Sequence, residues 1–548
     1  MKRWMCACRR GHRSTMKIAI INTGGTISCV GTPLGPMSAQ AFAKACKTLI
    51  DETIIVQDYP NTELHYAVDV KFPESSTGTL DSTNLQPTDW CIIASYILDH
   101  YADFDGWVVL HGTDSMDFTG TALPFLLSAF NDRGVTTAQL SKPVIITGSQ
   151  LPMFHQGPNE KEPSALAYNT DAFQNFCGAI AAAQSGIPEV CIYFQNELYR
   201  GNRVLKTNAS EFNAFSSPNY PSLGEYGIQF EILFENILPP PVSNSVSLDD
   251  ATARNSAIQQ LNYVAANINN FPVMQFNAFP AWYAFNDSTK TCSGLIANLL
   301  NACVASGIKG LILESYGEGN FPSGNPDNPS GGAAYQALAA ANAGGVVIVD
   351  CTQVIAGVVN DNAYAAGAWL PAVGALNPAD MTPMAAFAKL MILLTTAGYR
   401  KWTAAHVKTL MQTNLLGEMM SVNKLDSRVN PLLLANQTLA ALDGSATLSN
   451  DPVAGPVLRD STGTQLWAAM SPAPPANQLP GRLIMQNDGN LVFYSRYNAP
   501  MWATNTGVST GASSMLVLSG SAGKPADLAL LVYDYDHNAV TKTLYQQK

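Results

Sequence analysis

Asp105-Gly-Trp-Val-Val-Leu-His-Gly-Thr-Asp-Ser-Met116 is the stretch on which the fold of this chain turns. Its first half, Trp107 to Leu110, is a short apolar run rich in valine, with Asp-Gly before it and His-Gly after. Such a run predicts a strand buried on both faces of a parallel sheet. The chain then turns at His111-Gly112 and presents Thr113 and Asp114 where the strand stops. In an open α/β sheet, ligands bind in the crevice beyond the carboxyl ends of the strands. A hydroxyl beside a carboxylate suits proton transfer there, although the same residue types also cap helices.

Other strands end in the same way. Lys17 to Ile21 is apolar and runs into Asn22-Thr-Gly-Gly-Thr-Ile-Ser28, a glycine turn with Thr26 just after it. Lys142-Pro-Val-Ile-Ile-Thr-Gly-Ser-Gln150 repeats the device, and Glu189 to Phe194 is a further strand. A loop, Arg200-Gly-Asn-Arg-Val-Leu-Lys-Thr-Asn208, follows it. Helical spacing fills the gaps at Ser38–Ile50, Trp90–Tyr101 and Ala122–Phe130, with Ser38 a candidate cap and Pro87 suited to a first turn. Strands alternating with helices predict right-handed βαβ units. A second such unit starts at Lys309-Gly-Leu-Ile-Leu-Glu-Ser-Tyr-Gly-Glu-Gly-Asn320 and continues at Gly345–Thr352, with helices over 384–398 and 403–420.

Past about Asn430, glycine, serine, threonine and asparagine rise and short alternating strands replace helices, which predicts a small all-β module. The organisation expected is an extension at 1–16, an α/β domain at 17–235, a connection with an insertion at 236–290, an α/β domain at 291–429, and a β domain at 430–548. Met16 directly precedes the first strand and is an alternative start.

The 548 residues carry a net charge of -11, which argues against a nucleic-acid surface. No apolar run reaches the roughly 18 residues that a spanning helix needs. The start, MKRWMCACRRGHRST, is basic without an apolar core and does not read as a secretory signal. Ten cysteines all lie at or before Cys351; Cys6 and Cys8 form the single close pair, and no second pair completes a zinc site. Scattered thiols predict a reducing compartment, the cytoplasm.

Together the strand ends resemble the bacterial-type L-asparaginase family over about residues 17–425. Thr23-Gly-Gly-Thr-Ile27 looks like its first threonine motif, His111 to Met116 like its second, and Gly201 to Asn208 like the segment with its catalytic lysine. Ser315 to Asn320, Ala379-Asp-Met-Thr382 and Leu410 to Glu418 are closer to the type I branch. The resemblance implies hydrolysis of L-asparagine to aspartate and ammonia through an acyl-enzyme, with no metal or organic cofactor. Thr26 would be the nucleophile, with backbone N–H groups around Gly24 and Gly25 as candidates for meeting developing charge. Thr113 and Lys206 would move protons, and Asp114 would hold the substrate's ammonium and orient Lys206. Ser82 and Thr83 would bind the substrate carboxylate, Ser82 being equally readable as a helix-entry cap. Asn320, otherwise a turn residue, would complete the site of a neighbouring subunit, which implies a homodimer or homotetramer. Glutamine or another amide is the alternative substrate. The family often has a tyrosine in the lid after the first threonine; Cys29-Val-Gly-Thr-Pro-Leu-Gly-Pro-Met37 has none.

The tail carries a second resemblance. Gln486-Asn-Asp-Gly-Asn-Leu-Val-Phe-Tyr494 is similar to the mannose-binding motif of bulb-type lectins, and Pro500 to Asn505 fits the same repeat. Gln486, Asp488, Asn490, Val492 and Tyr494 are two apart, so one extended strand would show them on one face. A hairpin with Asp488-Gly489 at its turn is the other reading. Gly455 to Trp467 and Leu516 to Tyr535 look like weakened copies, so the resemblance implies a prism-type lectin domain with one good site for mannose-type glycans. The whole would then be an amidohydrolase with a sugar-binding tail, or else a lectin on a degenerate enzyme scaffold.

Overall fold

The computed structural model describes residues 15–547 except 51–60, 234–235, 242, 287, 290, 361–362, 422, 442–444, 509–513, 522–523 and 535–538. The Cys6–Cys8 pair and nearly all of the expected N-terminal extension lie outside the described residues.

Five parallel strands form the heart of the first sheet, in the spatial order Val190–Phe194, Val144–Thr147, Gly106–Leu110, Met16–Asn22 and Thr62–Ala67. Glu197–Arg200, Gly224–Tyr226 and Phe230–Ile232 extend it with antiparallel pairing. The opening stretch is thus a central strand. Its unbroken apolar character follows from burial on both sides: Trp107 and Val109 enter one core cluster, Val108 and Leu110 the other. Ile18/Ile20 and Ala19/Ile21 divide between the two faces in the same way.

A second sheet is wholly parallel and runs Val273–Asn277, Gly310–Ser315, Val347–Thr352, Ala375–Leu376. It begins inside the stretch 236–290 expected to be connection, because Val273 and Phe276 pack into buried clusters. Helix Pro383–Arg400 lies between the sheets and meets helix Met116–Leu126 edge to face, Phe387 on Phe118 with centroids 5.4 Å apart.

Several helices sit where expected. Ala39–Leu49 is capped by Ser38, whose hydroxyl accepts from Ala41 N at 3.2 Å, and Pro87 opens Pro87–Asp99. Two expectations need correction. The helix read over Ala122–Phe130 starts at Met116 and stops at Leu126, because the turn at Asp114-Ser115 launches it directly. The helix read over 403–420 covers only Ala404–Met411. Beyond it Asn414 and Glu418 tie the chain into an irregular strap: Glu418 accepts from Leu415 N at 3.0 Å and Leu416 N at 2.7 Å, and Asn414 accepts from Gly417 N at 2.8 Å.

Among the described residues the tail holds three four-stranded antiparallel sheets around one shared core. Lys424–Asp426 already pairs with Ser514–Ser521, so the module begins a few residues before 430. The sheets repeat one register. Leu458 faces Trp467, Phe493 faces Trp502 and Leu530 faces Tyr545, each aromatic on its sheet's last strand. Each places a large ring against the common core. Trp467 and Trp502 touch edge to face at 5.7 Å.

Candidate active site

The carboxyl end of Gly106–Leu110 is fixed before any reactive group is added. His111 is completely buried, and that burial lowers its pKa to about 4, so the ring is neutral at pH 7. Its Nδ1 lies 2.7 Å from Gly112 O, which can only accept, so Nδ1 carries the proton. Nε2 must then accept from Thr119 Oγ1 at 2.9 Å, while Thr119 in turn accepts from Trp90 Nε1 at 3.0 Å. This chain of donors holds the turn on which Thr113 and Asp114 sit.

Lys206 arrives from far along the sequence. Its Nζ donates to Thr113 Oγ1 at 2.8 Å and to Asp114 Oδ1 at 2.7 Å, across 93 and 92 residues. The Lys206 side chain is 20% exposed and that of Asp114 54%, so the pair opens to solvent on the carboxylate side. Lys206 lies on the two-residue strand Leu205–Lys206, paired with Phe215–Ser216. Just before it, Gly201 rests on Gly120 of the following helix so closely that a Cβ on Gly120 would stand 2.5 Å from Gly201 O. That glycine contact brings the lysine loop onto the helix that begins beyond Asp114.

The first threonine motif abuts the second. Thr23 donates through both N (3.0 Å) and Oγ1 (2.8 Å) to Leu110 O. Gly25 has φ 73°, and a Cβ there would fall 2.3 Å from the N and Cα of Gly112, so only glycine fits. Thr26 follows, half-buried, in the short turn Thr26–Ser28, and its hydroxyl makes no hydrogen bond among the described residues. One expectation is narrowed here. Gly24 N already donates to Asn22 Oδ1 at 3.0 Å and Gly25 N to Leu80 O at 2.9 Å, so neither is free for an oxyanion.

Ser82 lies on the other side of Gly112, 5% exposed, with its Oγ buried and unpartnered among the described residues. A Cβ on Gly112 would be 2.3 Å from that oxygen. The cap at this turn is Asp81, whose Oδ1 accepts from Thr83 N and Thr83 Oγ1, both at 3.1 Å. The capping alternative for Ser82 is thereby removed. Thr83 is on the surface, with its hydroxyl turned to Asp81. Asn320 closes a tight loop by exchanging backbone bonds with Tyr316 at 2.8 and 2.9 Å, and among the described residues it makes no hydrogen bond to Thr26, Ser82, Thr113, Asp114 or Lys206.

The lid forms a short hairpin, Cys29–Val30 with Gly35–Pro36. Its one ionisable side chain, Cys29, donates to Gly25 O at 3.2 Å, and burial pushes its thiol up to about 11. Cys29 therefore stays protonated and is no substitute base for the missing tyrosine. No group of three His, Cys, Asp or Glu that could hold a metal occurs among the described residues.

Two sets of residues went unread in the sequence. Asp117, almost fully buried, accepts the backbone N–H of Lys206 at 3.3 Å. Asn202 and Arg203 anchor the lysine loop to the strap, Asn202 Nδ2 on Leu416 O at 2.9 Å and Arg203 Nε on Gly417 O at 2.7 Å. Arg203 Nη1 also meets Asp380 Oδ2 at 2.7 Å. In sequence, Asp117 looks like an ordinary first-turn acid, and nothing local announces the strap.

In the tail, Gln486 to Asn490 is not extended. Gln486 N donates to Asn490 O at 2.9 Å and Gly489 N to Gln486 O at 3.0 Å, so the segment is the hairpin turn between Arg482–Met485 and Leu491–Tyr494. The single-strand reading is corrected: Asp488-Gly489 is favourable turn chemistry, and it bends the motif in two. Gln486 and Tyr494 still meet, Nε2 donating to Oη at 2.8 Å. Asp488 Oδ1 accepts from Asn490 N at 2.8 Å, and Asn490 Oδ1 from Thr504 Oγ1 at 3.0 Å.

Comparison with known proteins places this geometry. Residues 17–237 match the family model described as Asparaginase, N-terminal, and residues 287–407 match the Glutaminase/Asparaginase C-terminal domain. L-asparaginase 1 of Escherichia coli K12 is 31% identical over 73% of this chain and 97% of that protein. A 60 kDa lysophospholipase of Mus musculus is 30% identical over 73% of the chain and 59% of its own length. The crystal structure of L-asparaginase I from Vibrio cholerae superposes with a TM-score of 0.51 at 28% identity, covering 74% of this chain and 99% of that one. The chain belongs to the asparaginase family and is an asparaginase-type amidohydrolase.

Proposed function

We propose that the enzyme hydrolyses L-asparagine to L-aspartate and ammonia with Thr26 as nucleophile. The observation that carries this reading is Lys206 Nζ held at once by Thr113 Oγ1 and Asp114 Oδ1, next to a turn that presents Thr26 with an uncommitted hydroxyl. Thr26 Oγ1 attacks the amide carbon and gives up its proton, which passes through Thr113 and Lys206 to the amide nitrogen as the C–N bond breaks and ammonia leaves. Water then attacks the acyl-enzyme and releases aspartate, returning the proton to Thr26. Asp114 binds the substrate's ammonium. Ser82, a buried hydroxyl lacking a partner among the described residues, receives the substrate carboxylate and so regains a hydrogen bond. Thr83, on the surface next to Ser82, is the second carboxylate-binding residue of this reading. Asn320, which among the described residues makes no hydrogen bond to its own chain's site residues, serves a neighbouring subunit in a homodimer or homotetramer. No cofactor takes part.

The test is ammonia release from L-asparagine and L-glutamine by the full chain, with Thr26→Ala as control. Release from asparagine well above the control is expected. Release from glutamine alone reassigns the substrate, and none from either leaves the chain as a scaffold.

The tail we read as a mannose-type glycan-binding domain of prism type. The repeated register of its three sheets and the Gln486–Tyr494 contact support that reading. Asn490 is a poor probe, because its side chain ties the hairpin to Thr504. Gln486→Ala removes only a bond to Tyr494 and is expected to abolish retention of the full chain on immobilised mannose. Equal retention of variant and parent overturns the sugar site. None of the eight described cysteines is in a disulfide among the described residues, which fits a cytoplasmic location. Among the described residues no helix is long and apolar enough to cross a membrane.

A further inference from the structure

Asp117 has no place in the two-threonine reaction, yet it touches the lysine that does. It is the second residue of helix Met116–Leu126 and only 4% exposed. Oδ1 accepts from Phe118 N at 3.0 Å, within its own helix. Oδ2 accepts from Lys206 N at 3.3 Å, across 89 residues, and so joins the helix that follows Thr113-Asp114 to the strand that carries Lys206. The two elements are already close through Gly120 and Gly201, a contact of bare backbone without directional preference. The carboxylate supplies the direction that glycine lacks.

Burial raises the Asp117 carboxyl to about 6, with the N–H groups of Lys206 and Phe118 and the Lys206 charge pulling the other way. The group is therefore mostly ionised at neutral pH. Three other charges on the elements packed against this helix are committed elsewhere. Arg203 pairs with Asp380, Lys389 pairs with Glu418, and Asp89 caps its own helix through Gln86 N. Lys206 is the cation that acts on Asp117.

We propose that Asp117 is a positioning residue of the site, setting the register of Leu205–Lys206 so that Lys206 Nζ meets Thr113 and Asp114 together. The proposal rests on the amidohydrolase reading of those residues. Asp117→Asn keeps the size but turns an acceptor into an N–H2 that must face either Lys206 N–H or Phe118 N–H. Neither can accept, so the strand shifts. A displacement of about 1 Å in such a site is worth up to about 100-fold, so kcat for ammonia release falls roughly 10- to 100-fold. KM moves far less than kcat, because Ser82 is untouched and the Asp114 carboxylate, though it loses Lys206, still faces the substrate's ammonium from a half-exposed position.

A second readout does not depend on turnover. Lys206 Nζ, released from its two partners, reacts with trace acetic anhydride severalfold faster than in the parent, as read by mass spectrometry of the Lys206 peptide. A variant with the parent's kcat, or with Lys206 acetylated at the parent's rate, overturns the proposal. So does a fall in thermal stability with kcat per folded molecule intact, since that assigns Asp117 to the fold alone. Failure of the parent to release ammonia from asparagine sinks the proposed reaction, and the acetylation ratio still decides this one.

Discussion

Lys206→Met is expected to lower kcat for ammonia release from L-asparagine by about 10²- to 10⁴-fold, the range of a lost general acid–base. The thermal transition should hardly move. Both halves follow from the surroundings of Nζ, which lies 2.8 Å from Thr113 Oγ1 and 2.7 Å from Asp114 Oδ1. Without it, Thr113 has no group to relay a proton, and the lid offers none, since Cys29 is held protonated by burial. Stability depends on different terms. Asp114 is more than half exposed, so water screens the ion pair and its net worth is about 0–1 kcal/mol. Methionine keeps the length of the aliphatic stem, so packing along it is retained. Steady-state kinetics and a melting curve on one preparation decide the matter. A variant that keeps more than about a tenth of the activity removes Lys206 from the proton path.

The parallel-strand core was legible in the sequence because its signal is local. Trp107–Leu110 and Val144–Thr147 are buried on both faces, so each leaves an unbroken apolar run that ends in a glycine or threonine turn. Thr26, Thr113 and Asp114 stand directly beyond such runs. Lys206 lies beyond no such run; the family resemblance alone pointed to it. What stayed hidden is what long-range contacts decide. The carbonyl of Leu80 occupies the Gly25 N–H, and no pattern at Gly24-Gly25 reveals it. Asp117 has the look of a first-turn acid, which the helix dipole would favour anyway. Its bond to Lys206 N appears only once the loop at Gly201 folds onto Gly120.

The tail illustrates a different ambiguity. Residues two apart share a face on a strand, yet across a hairpin turn the same spacing still lets Gln486 reach Tyr494. Period two alone does not say where the bend falls. The Asp-Gly pair does, and it marked the turn correctly.

Lys389→Met, a change of the same type as at Lys206, is expected to act in the opposite way, destabilising the fold by about 3–5 kcal/mol. Lys389 Nζ and Glu418 Oε1 are 2.6 Å apart and both side chains are fully buried. Burial lowers the lysine pKa. Burial alone would raise that of Glu418, but the Lys389 charge and the N–H groups of Leu415 and Leu416 hold it below the ordinary carboxylate range. Removing the ammonium strands a carboxylate where water does not reach. It also frees Met411 O and Thr413 O, to which Nζ donates at 3.1 and 2.6 Å. Denaturation in urea, followed through the tryptophans, should show the loss in its earliest transition, and a loss below about 1 kcal/mol would mean that the pair is solvated after all. The double variant Lys389→Met, Glu418→Met separates charge from geometry. With both charges gone the electrostatic penalty vanishes, yet Leu415 N and Leu416 N lose their acceptor at a cost of about 1–3 kcal/mol each. The double variant therefore regains only part of the stability. Because Leu416 O and Gly417 O on that same strap hold Asn202 and Arg203, its kcat should stay below the parent's even where it is fully folded.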